Sequence, residues 1–159
     1  MKKLSAKRES GFTLIELLVV IGILAVLLAI VLIAINPARQ FAQANNTQRR
    51  SDVSAILNAI HQYAADNRGN LPTGMPADGA SLDVSSATGS GVGAAFCNAL
   101  VPTYIAELPR DPSTGTYTDC TTFDTQYVVT VSTASAGSTP RLTVSAPDRE
   151  LGVTISVTR

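Results

Sequence analysis

The chain is poor in the side chains on which most enzymes and metal sites depend. Its 159 residues include one histidine and two cysteines, and only 15% of them are charged. A structural zinc site uses four ligands, mostly Cys and His, so this chain could not build one without carboxylates. The sequence contains no recognisable nucleophile–base pair, phosphate-binding loop or metal-ligand cluster. These absences argue against an enzyme.

Positive charge is scarce beyond the N-terminus. Lys2, Lys3, Lys7 and Arg8 against Glu9 give the first eleven residues a net charge of +3. The other 148 residues hold 8 arginines and 11 acids, a net charge of −3. The chain as a whole is neutral, so no basic field indicates nucleic acid as its main partner, and no direct nucleic-acid site is expected.

Apolar residues make up 45% of the chain, too many for a disordered protein, and they are concentrated near one end. From Phe12 to Ile35 the sequence is FTLIELLVVIGILAVLLAIVLIAI, interrupted only by Thr13, Glu16 and Gly22. A helix of this length measures about 36 Å, and a membrane's hydrocarbon core is about 30 Å thick. The run therefore predicts a membrane span with the basic residues before it in the cytoplasm and the rest outside.

Two simpler interpretations compete for this run. An ordinary secretory signal has about 7–15 apolar residues and a small-residue cleavage site, and neither applies here. A plain single-pass anchor remains compatible with the sequence. It does not explain Glu16, because an acid inside a span costs a few kcal/mol and needs a partner, and the run contains no cation.

The junction KRESGFTLIELLVVIGILAVL resembles the class III signal and N-terminal helix of type IV pilins and of the pseudopilins of type II secretion and competence systems. The resemblance covers roughly residues 7–35. It implies that a membrane-embedded prepilin peptidase cuts after Gly11 and methylates the new amine of Phe12, which keeps its charge. It also implies that Glu16 of one subunit pairs with the Phe12 amine of a neighbour during assembly, which fixes the register of the subunits.

The predicted organisation has four parts. Residues 1–11 are a cytoplasmic leader that is removed, 12–35 a transmembrane and assembly helix, 36–68 an amphipathic helical stem, and 69–159 an extracytoplasmic β-rich head with a loop region. Kinks in the helix are expected at two positions. Proline at position 37 removes an amide donor, and glycine at position 22 is a weak helix former.

The stem carries one apolar stripe, which predicts a helix that ends near Asn67 with a left-handed cap at Gly69. Its members recur at helical spacing: Val53, Ile56, Leu57, Ile60 and Ala64. The polar residues Arg49, Arg50, Asp52, Asn58 and His61 fall largely off the stripe and are expected to be solvated. Pairing of the arginines with Asp52 or Asp66 of another subunit is the alternative. A continuous helix from Phe12 to Asn67 would measure about 84 Å, too long for the head to bury, so assembly is expected.

The predicted fold class is α+β, a long N-terminal helix packed on a small antiparallel sheet, which is the ladle fold of pilins. Predicted strands are Gln126–Ser132, Arg141–Ala146 and Val153–Thr158, with turns at 136–138 and 147–152. Residues 71–93 are expected to form an exposed loop, followed by a short helix at Ala94–Leu100.

Cys97 and Cys120 are the only thiols and both lie on the extracytoplasmic side. An oxidising compartment favours a disulfide between them, worth about 2–4 kcal/mol, although two free thiols remain an alternative.

Between the cysteines, the pattern Y-I-x-x-L-P-x-D-P resembles a loop of major pseudopilins, in which a nearby loop binds calcium. The resemblance implies Asp111, Asp119 and Asp124 as ligands of a structural calcium. Ser113 stands where that family has an aromatic residue, and a turn rigidified by Pro109 and Pro112 is the alternative. No other cofactor is expected.

Together these features predict a structural subunit of a type IV pilus-like filament that serves adhesion, motility or DNA uptake. The expected partners are copies of itself, the prepilin peptidase, the lipid bilayer, and the membrane platform protein and assembly ATPase of the machine. The precursor is expected in the inner membrane and the filament at the cell surface. A major pseudopilin of a type II secretion system and an anchored binding domain that does not polymerise are the alternatives.

Overall fold

The computed structural model of the chain describes residues 11–87, 89–132 and 141–159. Residues 1–10 of the predicted leader and the turn predicted at 136–138 lie outside these ranges. The chain divides into two compact units, one up to Gln40 and one from Phe41 to Arg159. The architecture is α+β, as predicted, with a long apolar N-terminal helix and a small antiparallel sheet.

The first unit contains helix α1, Leu14–Ile35, which is apolar on every side and has no buried residue. It is long and apolar enough to cross a membrane. Asn36 ends it in the left-handed conformation with φ of 45°, and helix α2 begins at Pro37, where a missing amide costs no helical hydrogen bond. The predicted break at residues 36–37 is therefore present, whereas α1 runs through Gly22 without interruption.

Helix α2 spans Pro37–Asp66, and from Phe41 onward it buries one face against the second unit's core. The predicted stripe is buried from Val53 to Ile60, and Ala64 is half-buried. Two polar residues that the pattern did not predict, Asn46 and Arg49, extend the buried face. The helix ends close to the expected position, because Gly69 adopts φ of 88° and its N–H donates to the carbonyl of Ala64 at 2.7 Å.

The described strands form one antiparallel sheet with the order β1-β3-β4-β5, and β2 also pairs with β3. Their bounds are β1 Ser81–Ser85, β2 Thr116–Asp119, β3 Thr122–Ser132, β4 Arg141–Ser145 and β5 Ser156–Thr158. Alternate residues of β3 are buried, from Phe123 to Val131, and these pack in the same core as α2. Helix α3, Gly93–Leu100, adds Phe96 and Leu100 to that core and lies within one residue of its prediction.

The prediction of an exposed loop over residues 71–93 was wrong. Strand β1 lies inside it, pairs with β3 and buries Val84. Strand β2 was also missed, and β3 begins four residues before the predicted Gln126. Gln126 has φ of 62°, and the register between β1 and β3 shifts beside it. A bulge therefore interrupts the alternation of apolar and polar residues by which a strand is predicted from sequence.

Candidate functional site

The predicted cleavage site lies in exposed, non-helical chain immediately before α1. Gly11 and Phe12 are both exposed, with 84% of Phe12 accessible. A Cβ atom added to Gly11 would meet nothing within 4 Å. The fold of this chain therefore places no demand for glycine at that position.

Glu16 has a partner within its own chain, the N-cap residue Thr13. The backbone N–H of Thr13 donates to Glu16 Oε2 at 2.8 Å, and its hydroxyl donates to the same oxygen at 2.7 Å. The Glu16 N–H donates back to Thr13 Oγ1 at 3.3 Å, which completes a capping box. This role of Thr13 was not predicted, although T-L-I-E has the spacing of a capping box.

Arg49 is buried, with 1% of its surface accessible, so the prediction of a solvated residue was wrong. Its Nε and Nη2 donate to the two carboxylate oxygens of Asp111 at 2.6 and 3.0 Å, a bidentate pair. Its Nη1 donates to Glu150 Oε1 at 3.2 Å. The guanidinium therefore joins α2 to two separate loops of the second unit.

Neighbouring polar groups complete the network around Arg49. The side chain of Asn46 accepts from Arg49 Nη1 at 3.1 Å and from the Glu150 N–H at 3.0 Å, and donates to the Glu150 carbonyl at 2.8 Å. Burial would raise the pKa of Asp111, but the hydrogen bonds from Arg49 and from the Ser113 N–H outweigh it and hold that pKa below its usual value. A hydrogen bond from Asn45, reinforced by Arg49, also lowers the pKa of Glu150.

The three carboxylates predicted to bind calcium occupy separate local structures. Asp111 is paired with Arg49, as described above. Asp119 Oδ1 accepts the Thr121 N–H at 2.7 Å within the turn from β2 to β3, and Asp124 Oδ1 accepts the Gln126 N–H at 3.2 Å in the bulge. Among the residues the structure describes, no three His, Cys, Asp or Glu side chains are grouped to hold a metal ion. Calcium binding thus stays an expectation from the sequence, without such a cluster to support it.

Cys97 and Cys120 form a disulfide bond in the structure, with their Cα atoms 5.3 Å apart. The bond links α3 to the turn that joins β2 and β3. The loop it closes contains Asp111, so the loop is held at its ends by the disulfide and in its middle by Arg49.

Asp52 is an acid of α2 that was predicted to lie on the solvated face. It is half-buried and accepts a hydrogen bond at 2.9 Å from the hydroxyl of Tyr127, whose side chain is fully buried. Burial raises the pKa of Asp52 above its usual value, since the Tyr127 hydrogen bond offsets only part of the desolvation. The charged form of this carboxylate is therefore disfavoured by folding.

Replacing Asp52 with asparagine is expected to raise the melting temperature at pH 7, because the side chain keeps its shape and loses a poorly solvated charge. We expect a small rise, because the carboxylate is only half-buried and solvent still screens its charge. The difference in melting temperature between the variant and the wild type should shrink as the pH falls towards the pKa of Asp52, where the wild-type carboxyl becomes protonated. Near-UV circular dichroism of the tyrosines, with the full chain in detergent micelles, measures both effects.

Asp66 of the same helix is exposed and accepts a hydrogen bond from Tyr104 that an asparagine oxygen can also accept, so Asp66→Asn provides the control and should leave the melting temperature unchanged. If Asp52→Asn melts at or below the wild-type temperature at pH 7, the charge of Asp52 does not destabilise the folded state.

The described residues thus contain one apolar helix long enough to span a membrane, and an α+β unit stabilised by a buried arginine and a disulfide. Residues 6–32 match the family described as the prokaryotic N-terminal methylation motif. This segment is similar to the class III signal peptide of type IV pilins and pseudopilins, which are structural proteins processed by prepilin peptidase. The motif and α1 together fit a membrane-anchored, pilin-like precursor. No curated protein and no solved structure matches the chain.

Proposed function

We propose that the chain is a structural subunit of a type IV pilus-like filament. It is stored in the membrane as a precursor, trimmed after Gly11, methylated at Phe12 and polymerised through α1. The observation that carries the proposal is the junction itself, an exposed peptide bond followed at once by an unburied apolar helix. Such a helix finds apolar surroundings first in lipid and then among copies of itself.

The Thr13–Glu16 capping box supports a specific role for the carboxylate after cleavage. The Thr13 hydrogen bonds satisfy part of the carboxylate but leave its charge without a counterion in α1. Cleavage creates a cationic amine at Phe12, within one helical turn of Glu16. When helices pack side by side, the amine of one subunit and Glu16 of the next neutralise each other and fix the register.

Glu16→Val is expected to be cleaved normally and to yield at least tenfold less filament, because the amine of each neighbour would lie unpaired among apolar helices. Glu16→Gln is the informative companion, since an amide oxygen still accepts the Thr13 hydrogen bonds but carries no charge. It should fail like Glu16→Val. The measurement compares sheared filament with membrane-held, cleaved subunit on immunoblots of cells that express the full chain.

Normal filament yield from Glu16→Gln would show that capping rather than charge pairing is the role of Glu16. Filaments that carry uncleaved subunits, or a wild-type chain that stays monomeric under every condition tested, would contradict the proposed function as a whole.

The second candidate is a major pseudopilin of a type II secretion system, and the Y-I-x-x-L-P-x-D-P sequence of residues 104–112 favours it. Electron microscopy of sheared surface material separates the two candidates. Long filaments built of this chain in cells at native expression support the pilus, and their absence alongside a secretion defect in a deletion strain supports the pseudopilin.

A further inference from the structure

A cleft opens between α2 and the segment that precedes Asp111. It has a volume of about 330 Å³ and is lined by Gln48, Asp52 and residues 105–110. This lies at the small end of the range of about 300–1,000 Å³ found for ligand pockets, which is room for a side chain and not for a secondary-structure element. The cleft lies entirely within the second unit.

The chemistry of the cleft suits a guanidinium group with an aliphatic stem. Ile105, Leu108 and Pro109 supply apolar surface, and Asp52 and Glu107 supply negative charge. Asp52 has no cation within ion-pair distance among the described residues. Arg110 lines the same cleft, yet it is exposed and forms no such pair, and Arg49 is engaged by Asp111 and Glu150.

The wall opposite α2 is fixed before any partner arrives. Leu108 is buried, the Asp111 N–H donates to the Thr125 carbonyl at 3.0 Å, and the disulfide closes the loop. A cleft held in this way loses little conformational entropy when it is filled. Its half-buried carboxylate gains more from a cation than a fully solvated one would.

The same helix carries a suitable donor on a different face. Arg50 is exposed and makes no ion pair with another described residue. Two residues along a helix turn the side chain by about 200°, so Arg50 and Asp52 point to nearly opposite sides of α2. A subunit cannot join its own Arg50 to its own Asp52, whereas two copies can. Contacts between two different patches of one protein are those that build open helical filaments.

We propose that the Asp52 cleft receives the side chain of Arg50 from a second copy of the chain. This inference rests on the proposed function, because it assigns a contact between heads in the filament. It gives the head a part in subunit register beyond the contacts of α1. It also accounts for an acid in a partly desolvated position to which the described residues of its own subunit offer no ion-pair partner.

Asp52→Asn in the full chain is expected to reduce the yield of sheared filament at least fivefold, while cleavage and the near-UV spectrum of the head stay normal. Glu107→Gln, at the same cleft, should give a smaller reduction. Asp66→Asn is the control, an exposed acid of α2 outside the cleft, and should assemble as the wild type does.

A charge exchange identifies the donor. Asp52→Arg should abolish assembly, and Arg50→Asp in the same chain should restore it at least in part. Arg68 is also exposed, and Arg68→Asp in the same chain should not restore assembly. The inference is overturned if Asp52→Asn assembles normally in cells where the wild type forms filaments, or if Arg68→Asp restores assembly as well as Arg50→Asp does. If the wild type forms no filaments at all, the proposed function fails first.

Discussion

Gly11→Asp is expected to leave the whole precursor uncut in the membrane. The structure offers no intramolecular reason for glycine at this position, since an added Cβ would touch nothing within 4 Å and the residue is exposed outside the helix. On the proposed function, glycine is needed to fit the cleft of the prepilin peptidase, where a larger, charged side chain blocks access to the peptide bond. We expect cleaved product to fall below detection, measured as a band that fails to shift on a gel and as retention of Met1 in intact-mass spectrometry.

Gly22→Ala is the matched control. This glycine lies inside α1, where an added Cβ also meets nothing within 4 Å, and alanine is a better helix former. The variant should be inserted and cleaved like the wild type. Full trimming of Gly11→Asp would remove the cleavage assignment and with it the free amine of Phe12.

Arg49→Met is expected to destabilise the second unit by about 3–5 kcal/mol, because Asp111 is left buried with its charge uncompensated. In a chain of this size that corresponds to a melting temperature lower by roughly 10 °C or more. The measurement is near-UV circular dichroism of the full chain in micelles. Arg50→Met, one residue further along the same helix and exposed, should melt within about 1 °C of the wild type.

The double variant Arg49→Met with Asp111→Leu separates the loss of the pair from the loss of packing. Removing both charges leaves no uncompensated carboxylate in the core, so the double variant should be more stable than Arg49→Met alone. If the two arginine variants melt at the same temperature, the buried network is not a major source of stability.

Acid should act on this network in a definite direction. The pKa of Asp111 is lower in the folded state than in the unfolded one, so its contribution is complete above about pH 4 and is lost as the pH falls through the folded-state value. Asp52 acts in the opposite direction, because its raised pKa makes the folded state relatively more favourable as the pH falls.

The features that sequence analysis predicted well depend on near neighbours in the chain. The stripe from Val53 to Ile60 has helical spacing, Gly69 supplies a left-handed cap, and α3 was placed within one residue. The junction at Gly11 is contiguous and matched a family over residues 6–32. Each of these patterns is complete within a short stretch of sequence.

The features that it missed depend on distant partners. Arg49 meets acids 62 and 101 residues away, and no local pattern distinguishes it from the exposed Arg50 beside it. Strand β1 has only Leu82 and Val84 as apolar members among serines and an aspartate, and its pairing with β3 makes it a strand. Tertiary contacts outweigh local propensity in both cases.

The residues that cap α1 all lie after the proposed cleavage site, so cleavage there does not remove them. With cleavage after Gly11 as proposed, Thr13 and Glu16 both stay in the mature chain, so the α1 cap consists wholly of residues that remain after trimming. Removal of the proposed leader takes away side chains with a net charge of +3, creates a terminal cation at Phe12 and breaks none of the three hydrogen bonds between Thr13 and Glu16. The proposed precursor and mature subunit thus share the same capped start of α1, and one hydrolysed bond changes the charge beside it, so on this proposal a subunit waits with the helix already formed until cleavage releases it to polymerise.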